Sequence, residues 1–224
     1  MANLSGAVRH NFHVTGAAEL KLLPEEYEFP PLQVPKLKKV LPTGLKRGAI
    51  TEIHGQRSSG RISLCLHLLA LATAHGEICA LVDFADSFHP ASAAAAGVQL
   101  DHVVWVRCSG NMEHALRAND LLLHAGGFGV ILLDLCEAKS RILNRIPLSY
   151  WFRFRRAIEH TPTMLLVCAE TRLVNLSAAY NLEIKSKVIT WLGSKAFNRL
   201  TGLETQARAG KIVRAQQLFL KTVA

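Results

Sequence analysis

The sequence lacks the features that mark several common classes of protein. It has no C-x-x-C pair, so a structural zinc site is not predicted. It has no apolar run long enough to span a bilayer, and residues 1–20 lack the apolar core of a secretory signal, so we expect a cytoplasmic protein with no membrane partner. Free, buried thiols in a reducing compartment are expected at the widely spaced cysteines, which are Cys65, Cys79, Cys108, Cys136 and Cys168.

Charged residues are also few, at 19% of the chain, and neither internal repeats nor low-complexity tracts occur. This composition excludes an intrinsically disordered chain. Half of the 224 residues are hydrophobic, which is enough for the core of one domain. Lysine and arginine total 26 against 17 acidic residues, and the resulting net charge of +9 favours anionic partners such as DNA. An ordinary basic surface would have the same balance of charges.

Residues 1–40 differ from the rest of the chain because proline recurs through them. A short helix is predicted at Ala17–Leu23, where Pro24 ends it. The remainder reads as an extended arm, which either packs on a neighbouring subunit or forms a flexible tail. We therefore predict an N-terminal arm over residues 1–40 and one core domain over residues 41–224.

Apolar runs alternate with helical segments through the middle of the chain. Unbroken apolar runs suit strands that are covered on both faces of a parallel sheet. Strands are predicted at Ala49–Ile53, Ile78–Val82, Val103–Val106, Val130–Leu133 and Met164–Ala169. Helices are predicted at Gly60–His75, Pro90–Ala96, Glu113–Ala125 and Leu148–His160. This order indicates repeated βαβ units, and therefore a three-layer α/β domain with a mostly parallel central sheet.

Two further strand signals lie nearer the end of the sequence. The alternation of apolar and charged residues over Leu182–Lys185 predicts an edge strand. The stretch Gly202–Val223 predicts a hairpin of C-terminal strands that turns at Ala209–Lys211.

The loop between the first predicted strand and helix has the spacing of a phosphate-binding loop. From Gly55 to Ile62 it reads Gly-Gln-Arg-Ser-Ser-Gly-Arg-Ile, against the pattern G-x-x-x-x-G-K-[ST]. Both glycines are in place, but Arg61 stands where a lysine reaches the phosphates, and Ile62 stands where a hydroxyl holds Mg²⁺. The loop is therefore either a weakened ligand site or simply the turn that the fold requires.

This loop and its surroundings resemble the RecA-like recombinase superfamily. The resemblance covers roughly residues 40–190 through the segments Leu41–Gly44, Gly48–Gly60, Ile78–Pro90, Val130–Asp134 and Met164–Thr171. Within the superfamily, a short chain with an altered loop is most similar to the ImuA accessory proteins of bacterial mutagenic translesion synthesis. The resemblance implies a RecA-like P-loop NTPase core.

The resemblance also implies a degenerate nucleotide site at Gly55, Ser58, Ser59, Gly60, Arg61 and Asp134. Backbone N–H groups of the loop could still cradle an anion, and Asp134 keeps the carboxylate that is associated with Mg²⁺. The water-orienting glutamate is replaced by Ala85, and the residue that stacks on adenine falls near Ser92. Loss of one such catalytic role typically costs on the order of 10²–10⁴ in rate. We therefore expect no catalytic residues, no cofactor and at most weak ATP binding.

The two DNA-binding loops that the resemblance implies are both short. The first would be Glu137–Arg145, and the second, within Arg172–Leu182, is nearly absent. A recombinase-type filament on DNA is therefore not expected.

Basic and aromatic residues interleave after the first of these loops, a pattern that can stack bases and pair with phosphates. The candidate DNA-binding residues are Arg141, Arg145, Arg153, Arg155 and Arg156. The alternative is an ordinary amphipathic helix with solvated arginines, whose core face would be formed by Leu148, Trp151, Phe152 and Ile158.

Three functions are compatible with the resemblance. The first is a non-catalytic accessory protein of the SOS response to DNA damage. It would support error-prone translesion synthesis at the nucleoid by binding a Y-family-like polymerase subunit, or by binding and inhibiting RecA. Its docking surfaces would be the 1–40 arm and the segment Lys211–Ala224. The alternatives are a weakly active DNA-dependent ATPase of the recombination-mediator type, in which Arg61 replaces lysine, and a SulA-like inhibitor of cell division.

Overall fold

The computed structural model of the chain describes residues 30–34, 38, 41–174, 177–192, 199–209 and 218–222, with side chains as far as Lys185. The strands in these residues are β1 (Ile50–His54), β2 (Cys79–Asp83), β3 (Val103–Arg107), β4 (Val130–Asp134), β5 (Met164–Ala169), β6 (Ala178–Leu192), β7 (Arg199–Ala209) and β8 (Leu218–Thr222). The helices are α1 (Arg61–Ala74), α2 (Pro90–Ala95), α3 (Met112–Ala125), α4 (Ser140–Leu143) and α5 (Leu148–Ile158).

All of these strands join one sheet in the order β3-β2-β4-β5-β1-β6-β7-β8. The pairs from β3 across to β6 are parallel, and β7 and β8 extend the sheet with antiparallel pairs. Because parallel strands all end at the same edge, the loops after β1, β2, β4 and β5 meet above their carboxyl ends. Any site built from those loops is therefore formed by residues that are distant in the sequence.

Two hydrophobic cores flank the sheet. Successive residues of a strand point to opposite faces, so Val130 and Leu132 of β4 enter one core, while Ile131 and Leu133 enter the other. The first core lies beneath α1 and α2, and the second lies beneath α3 and α5. This covering of both faces explains the unbroken apolar runs of β2, β4 and β5, and it confirms the three-layer α/β fold with a mostly parallel sheet. The run at Val103–Val106 differs from the prediction, because β3 ends the sheet and Val104 is 43% exposed. Across the described ranges, no helix is both long enough and apolar enough to cross a membrane.

The predicted edge strand at Leu182–Lys185 is wrong in its position and its length. These residues lie within β6, which pairs in parallel with β1 on one side and antiparallel with β7 on the other. Leu182 and Ile184 are buried in the first core, while Lys185 is exposed. The alternation that suggested an edge therefore records a strand covered on one face only. The hairpin pairing of β7 with β8 agrees with the sequence, although its turn lies outside the described residues.

The last part of the predicted arm packs on the domain itself. Leu32 and Val34 are only 4% and 2% exposed, and both belong to the first core. Leu32 also forms a two-bond antiparallel bridge with Leu45, with N···O distances of 2.9 Å in each direction. The helix predicted at Ala17–Leu23 lies outside the described residues.

A buried arginine fastens the amino ends of three strands. Arg47, just before β1, donates from Nη1 to the carbonyl oxygen of Gly129 at 2.9 Å, and its Nη2 lies 2.5 Å from Oε1 of Glu77. Gly129 precedes β4, and Glu77 precedes β2. One guanidinium group thus holds the starts of β1, β2 and β4 together at the edge of the sheet opposite to the loops described below.

Candidate functional site

The loop predicted from the glycine pattern lies between β1 and α1. Ser58 and Gly60 both adopt positive φ, at 60° and 92°, and the N–H of Ser59 donates to the carbonyl oxygen of Gln56 at 3.1 Å. At Gly55, a Cβ atom would lie 2.1 Å from the carbonyl oxygen of Ile184 in β6. Gly55 is therefore required by the close approach of β6, whether or not a ligand binds.

The side chain of Arg61 is buried within this loop. It is only 5% exposed, and its Nη1 donates to the carbonyl oxygen of Gly55. Its Nε donates to Sγ of Cys136 at 3.0 Å, and its Nη2 donates to the carbonyl oxygen of Cys136 at 3.3 Å. The guanidinium group therefore ties the loop after β1 to the loop after β4.

The position after Arg61 carries no hydroxyl group. Ile62 is 36% exposed and lines a cleft beside the loop. Ser63 also lines the cleft and is exposed, although it comes one residue later on α1. One residue rotates a side chain by about 100° around a helix, so Ser63 does not take the place of the missing Mg²⁺ ligand.

The cleft has a volume of about 560 Å³. Five of its lining side chains are apolar and come from α1, β2, the loop after β2, and β4: Ile62, Leu66, Leu81, Phe88 and Leu132. At its rim, Arg57 of the loop pairs with Glu137 at 3.0 Å, and both side chains are exposed. Five of the six predicted nucleotide-site residues line this cleft: Ser58, Ser59, Gly60, Arg61 and Asp134. The volume is within the range of small-molecule pockets.

Asp134 ends β4 at the base of the cleft. It is 8% exposed, and its Oδ1 accepts a hydrogen bond from the N–H of Cys136 at 2.9 Å. Burial raises the pKa of the Asp134 carboxyl above its ordinary value, although this hydrogen bond and the charge of Arg61 act in the opposite direction. Its neighbour across the strand pair, Asp83, is buried and also acts against its ionisation.

Asp83 organises the loop that follows β2. Its carboxylate accepts hydrogen bonds from the N–H groups of Ser87 and Phe88 at 3.1 and 2.9 Å, and from Nε1 of Trp105 at 3.2 Å. Phe88 packs edge-to-face on Trp105, with 5.2 Å between ring centroids. This arrangement places Phe88 and His89 at the cleft.

The carboxylate nearest to the expected water-orienting position points elsewhere. Ala85 occupies that position, and the adjacent Asp86 has a φ of 56°. Asp86 accepts hydrogen bonds from the N–H and hydroxyl of Ser109, both at 3.1 Å, and pairs with Arg107 at 3.2 Å. The backbone N–H of Ser109 lowers the pKa of Asp86 most. Asp86 is thus engaged at the β3 side, through Ser109 and Arg107. Ser92 offers a hydroxyl that contacts Nδ1 of His89 at 2.9 Å.

All five cysteines are free and buried, as the sequence predicts. Three of them meet beneath the loop, an arrangement that sequence reasoning missed. The Sγ atoms of Cys136 and Cys168 lie 3.2 Å apart, and Cys65 of α1 interacts with Cys168. Hydrogen bonding to Cys168 and burial raise the pKa of Cys136 far above its ordinary value. The thiols therefore act as neutral packing groups beneath Arg61.

A buried carboxylate that the sequence reasoning overlooked fixes the connection after β5. Glu52 of β1 is fully buried and accepts hydrogen bonds from the N–H groups of Leu173 and Val174 and from Nδ2 of Asn181, the last at 2.7 Å. Oδ1 of Asn181 lies 2.7 Å from Nε2 of His54. A glutamate inside an apolar strand was the available signal, because such a group must find donors.

The predicted DNA-binding arginines separate into two groups. Arg153 of α5 donates from Nε to Oδ1 of Asp120 in α3 at 2.7 Å and lies over the ring of Tyr150. The other four are exposed, and the described residues offer them no ion pair: Arg141, Arg145, Arg155 and Arg156.

The alternative prediction, that α5 is an amphipathic helix with a four-residue core face, is wrong for two of the four residues. Trp151 and Ile158 are buried as predicted, and Phe154 joins them. Leu148 and Phe152 are 59% and 56% exposed. The buried face is centred on Trp151, Phe154 and Ile158, which brings Phe152 round to solvent.

The loop at Glu137–Arg145 contains the single turn α4, and only eight residues, 170–177, separate β5 from β6.

Known proteins with similar sequences bear on this geometry. Residues 38–141 match the model of the RecA N-terminal domain family. The chain is similar to Protein RecA of Laribacter hongkongensis, at 38% identity over 95 residues, or 42% of this chain and 27% of that protein. Protein RecA of Cutibacterium acnes matches at 40% over the same shares, and that of Rhodospirillum rubrum at 41% over 42% of this chain and 26% of that protein. The chain thus spans about a quarter of the length of these relatives. Together with the sheet, these matches support a RecA-like core.

Proposed function

We propose that this chain is a non-catalytic RecA-like accessory protein of the bacterial SOS response, of the ImuA type. In this role it supports error-prone translesion synthesis by binding a Y-family-like polymerase subunit, RecA, or both. Binding to RecA would inhibit it, because a RecA-like core without long DNA-binding loops could join a filament end and stop its growth. The observation that supports the proposal is the position of Arg61, whose guanidinium group is used to hold the loop instead of reaching into the cleft.

Three of the polar roles needed for hydrolysis have a specific deficit in this cleft. The cation at Arg61 is bound internally, and the Mg²⁺ hydroxyl is replaced by the side chain of Ile62. The water-orienting position is Ala85, and Asp86 is bound to Ser109 and Arg107. Because each such role is typically worth on the order of 10²–10⁴ in rate, a protein that lacks three of them gains little from hydrolysis.

The nucleotide question is tested by calorimetric titration with Mg-ATP. We expect no detectable heat from the natural protein and no phosphate release in the presence of single-stranded DNA. The triple variant Arg61→Lys, Ile62→Thr, Ala85→Glu restores the missing groups, and we expect it to gain binding. Arg117→Ala, at an exposed position of α3 away from the cleft, is the control and should behave like the natural protein.

Micromolar binding and phosphate release by the natural protein would overturn the non-catalytic assignment. That result would support the alternative of a weakly active, DNA-dependent ATPase of the recombination-mediator type. The observation that favours this alternative is the cleft beside the loop, whose volume of about 560 Å³ is within the range of small-molecule pockets.

The partner is tested separately with purified RecA. We expect the protein to co-purify with RecA and to reduce the assembly of RecA filaments on single-stranded DNA, as followed by light scattering. If neither effect occurs and a lesion-bypass polymerase of the same system is not retained either, the accessory role is rejected.

A further inference from the structure

The helix α5 presents three distinct sides. One side is buried in the second core through Trp151, Phe154 and Ile158. A second side faces α3, where Arg153 pairs with Asp120. The third side carries Leu148 and Phe152, which are 59% and 56% exposed. Leu148 and Phe152 are four residues apart, so they stand one above the other on this side of the helix.

Two cations continue the same side of α5. Arg155 and Arg156 follow Phe152 by three and four residues, so both lie on the next turn of the same side. Both are exposed, and neither has an ion pair among the described residues. No acidic residue occurs anywhere between Glu137 and Glu159. We call Leu148, Phe152, Arg155 and Arg156 the outer face of α5.

This composition is complementary to a protein segment of defined chemistry. Two apolar side chains one turn apart can pack against the apolar stripe of a second helix, because side chains four residues apart form a ridge on the helix surface. The arginines at one end of the stripe favour acidic side chains on that partner, because rim charges set the orientation and rate of docking. Phenylalanine and arginine are both enriched at the centres of protein interfaces.

The same face is poorly suited to single-stranded nucleic acid. Base stacking needs exposed rings, and of the four aromatic residues of α5 only Phe152 is exposed. Trp151 and Phe154 are buried, and Tyr150 packs against Phe154 and Arg153. Arg153 is held by Asp120.

We propose that the outer face of α5 is a docking site for an acidic amphipathic helix of a partner protein. The proposal does not depend on the function proposed above, because nothing in it requires RecA, a polymerase or nucleotide. It concerns a surface on the side of the sheet opposite to the helix α1 that follows the loop.

The test uses a short synthetic peptide as the probe. The peptide forms an amphipathic helix with leucines one turn apart, flanked by glutamates, and binding to the full-length protein is followed by fluorescence anisotropy. We expect saturable binding that Phe152→Ser weakens by at least about tenfold, as at other interface anchors. Arg155→Glu should also weaken binding and reduce its dependence on salt.

Leu121→Ser is the matched control. Leu121 is also an exposed apolar residue on a helix of the same layer, at 70% exposure, but its neighbour Arg117 pairs with Glu113. This variant should bind the peptide as the natural protein does. Circular dichroism of every variant should match the natural protein, since all the substituted side chains are exposed.

Three outcomes would overturn the proposal. They are no binding of the acidic peptide, equal binding by the Phe152→Ser and Leu121→Ser variants, and equally tight binding of a peptide in which lysines replace the glutamates. A single-stranded oligothymidylate that binds through Phe152 while the peptide does not would assign the face to nucleic acid instead. Because nucleotide titration and RecA assays are separate, failure here leaves the accessory role to be judged by them.

Discussion

At the scale of single residues, Arg61 shows how a conservative-looking change alters a site. Lysine and arginine carry the same charge, but the planar guanidinium group can bind several carbonyl and thiol acceptors at once. Arg61 uses this capacity to contact Gly55 and Cys136, and so holds two loops together. The sequence predicted the loss of the lysine role. It did not predict the new contacts, because Cys136 is 75 residues away along the chain.

Asp134 gives a prediction about the dependence of stability on pH. Burial raises the pKa of its carboxyl in the folded protein. Between the ordinary aspartate pKa of about 4 and the raised value, the folded protein therefore binds more protons than the unfolded chain, and stability falls as pH rises. Asp134→Asn keeps an oxygen acceptor for the N–H of Cys136 but cannot ionise. We expect this variant to be more stable than the natural protein at neutral pH.

The measurement is urea unfolding of both proteins from acid to neutral pH. The difference in the free energy of unfolding should grow as pH rises above about 4 and should be small below it. Asp101→Asn, at an exposed position, is the control and should show no such trend. A constant difference for Asp134→Asn over the whole range would contradict the prediction.

At the scale of elements, the sequence located most strands and helices to within two residues. It did so because strands covered on both faces are continuously apolar, as in β2, β4 and β5, and because glycines and prolines mark their ends. It misplaced β6 and the exposed side of α5 for a common reason. Which strand pairs with an edge, and which helix lies beside another, depends on residues distant in the sequence, and the local pattern does not contain that information.

The anchor formed by Arg47 gives a prediction at this scale. Its side chain is 8% exposed and joins Glu77 and Gly129, so it connects the starts of three strands. Removal of one partner of a buried ion pair typically costs about 3–5 kcal/mol, and the partial exposure of Glu77 places the expectation for Arg47→Ala near the lower end.

Chemical denaturation measures this cost directly. The matched control is Arg117→Ala, which removes an exposed pair with Glu113 at 3.9 Å and should change the free energy of unfolding by less than about 1 kcal/mol. Equal effects of the two substitutions would show that the Arg47 anchor does not stabilise the sheet.

At the scale of the whole molecule, residues 30–34 join the predicted arm to the core domain. The boundary at residue 40 was predicted from proline content. Leu32 and Val34 nevertheless pack in the core, because they are apolar, although prolines surround them in the sequence. The candidate site was likewise only partly predictable from the sequence. The loop was visible in the sequence because its residues are contiguous, but the thiols beneath it and the Glu52 network were not, because strands β1, β4, β5 and β6 bring them together.

Leu32 gives the prediction for this scale. Leu32→Ala should lower the free energy of unfolding by about 2–4 kcal/mol, because it removes a buried side chain from the first core. Pro31→Ala, at the exposed neighbouring position, should have little effect. Thermal unfolding followed by circular dichroism compares the two, and a Leu32→Ala variant as stable as Pro31→Ala would place the beginning of the domain after this segment.

The close contact between Gly55 and Ile184 has an evolutionary consequence. A side chain at residue 55 would collide with the backbone of β6, so selection for folding alone would retain this glycine after any selection for catalysis had ended. Among homologues that have lost ATP hydrolysis, we therefore expect the first glycine of the motif to persist, while the lysine and hydroxyl positions drift. The glycine spacing by which such loops are recognised would then indicate ancestry and packing. The residues at the lysine and hydroxyl positions would indicate whether ATP hydrolysis is retained.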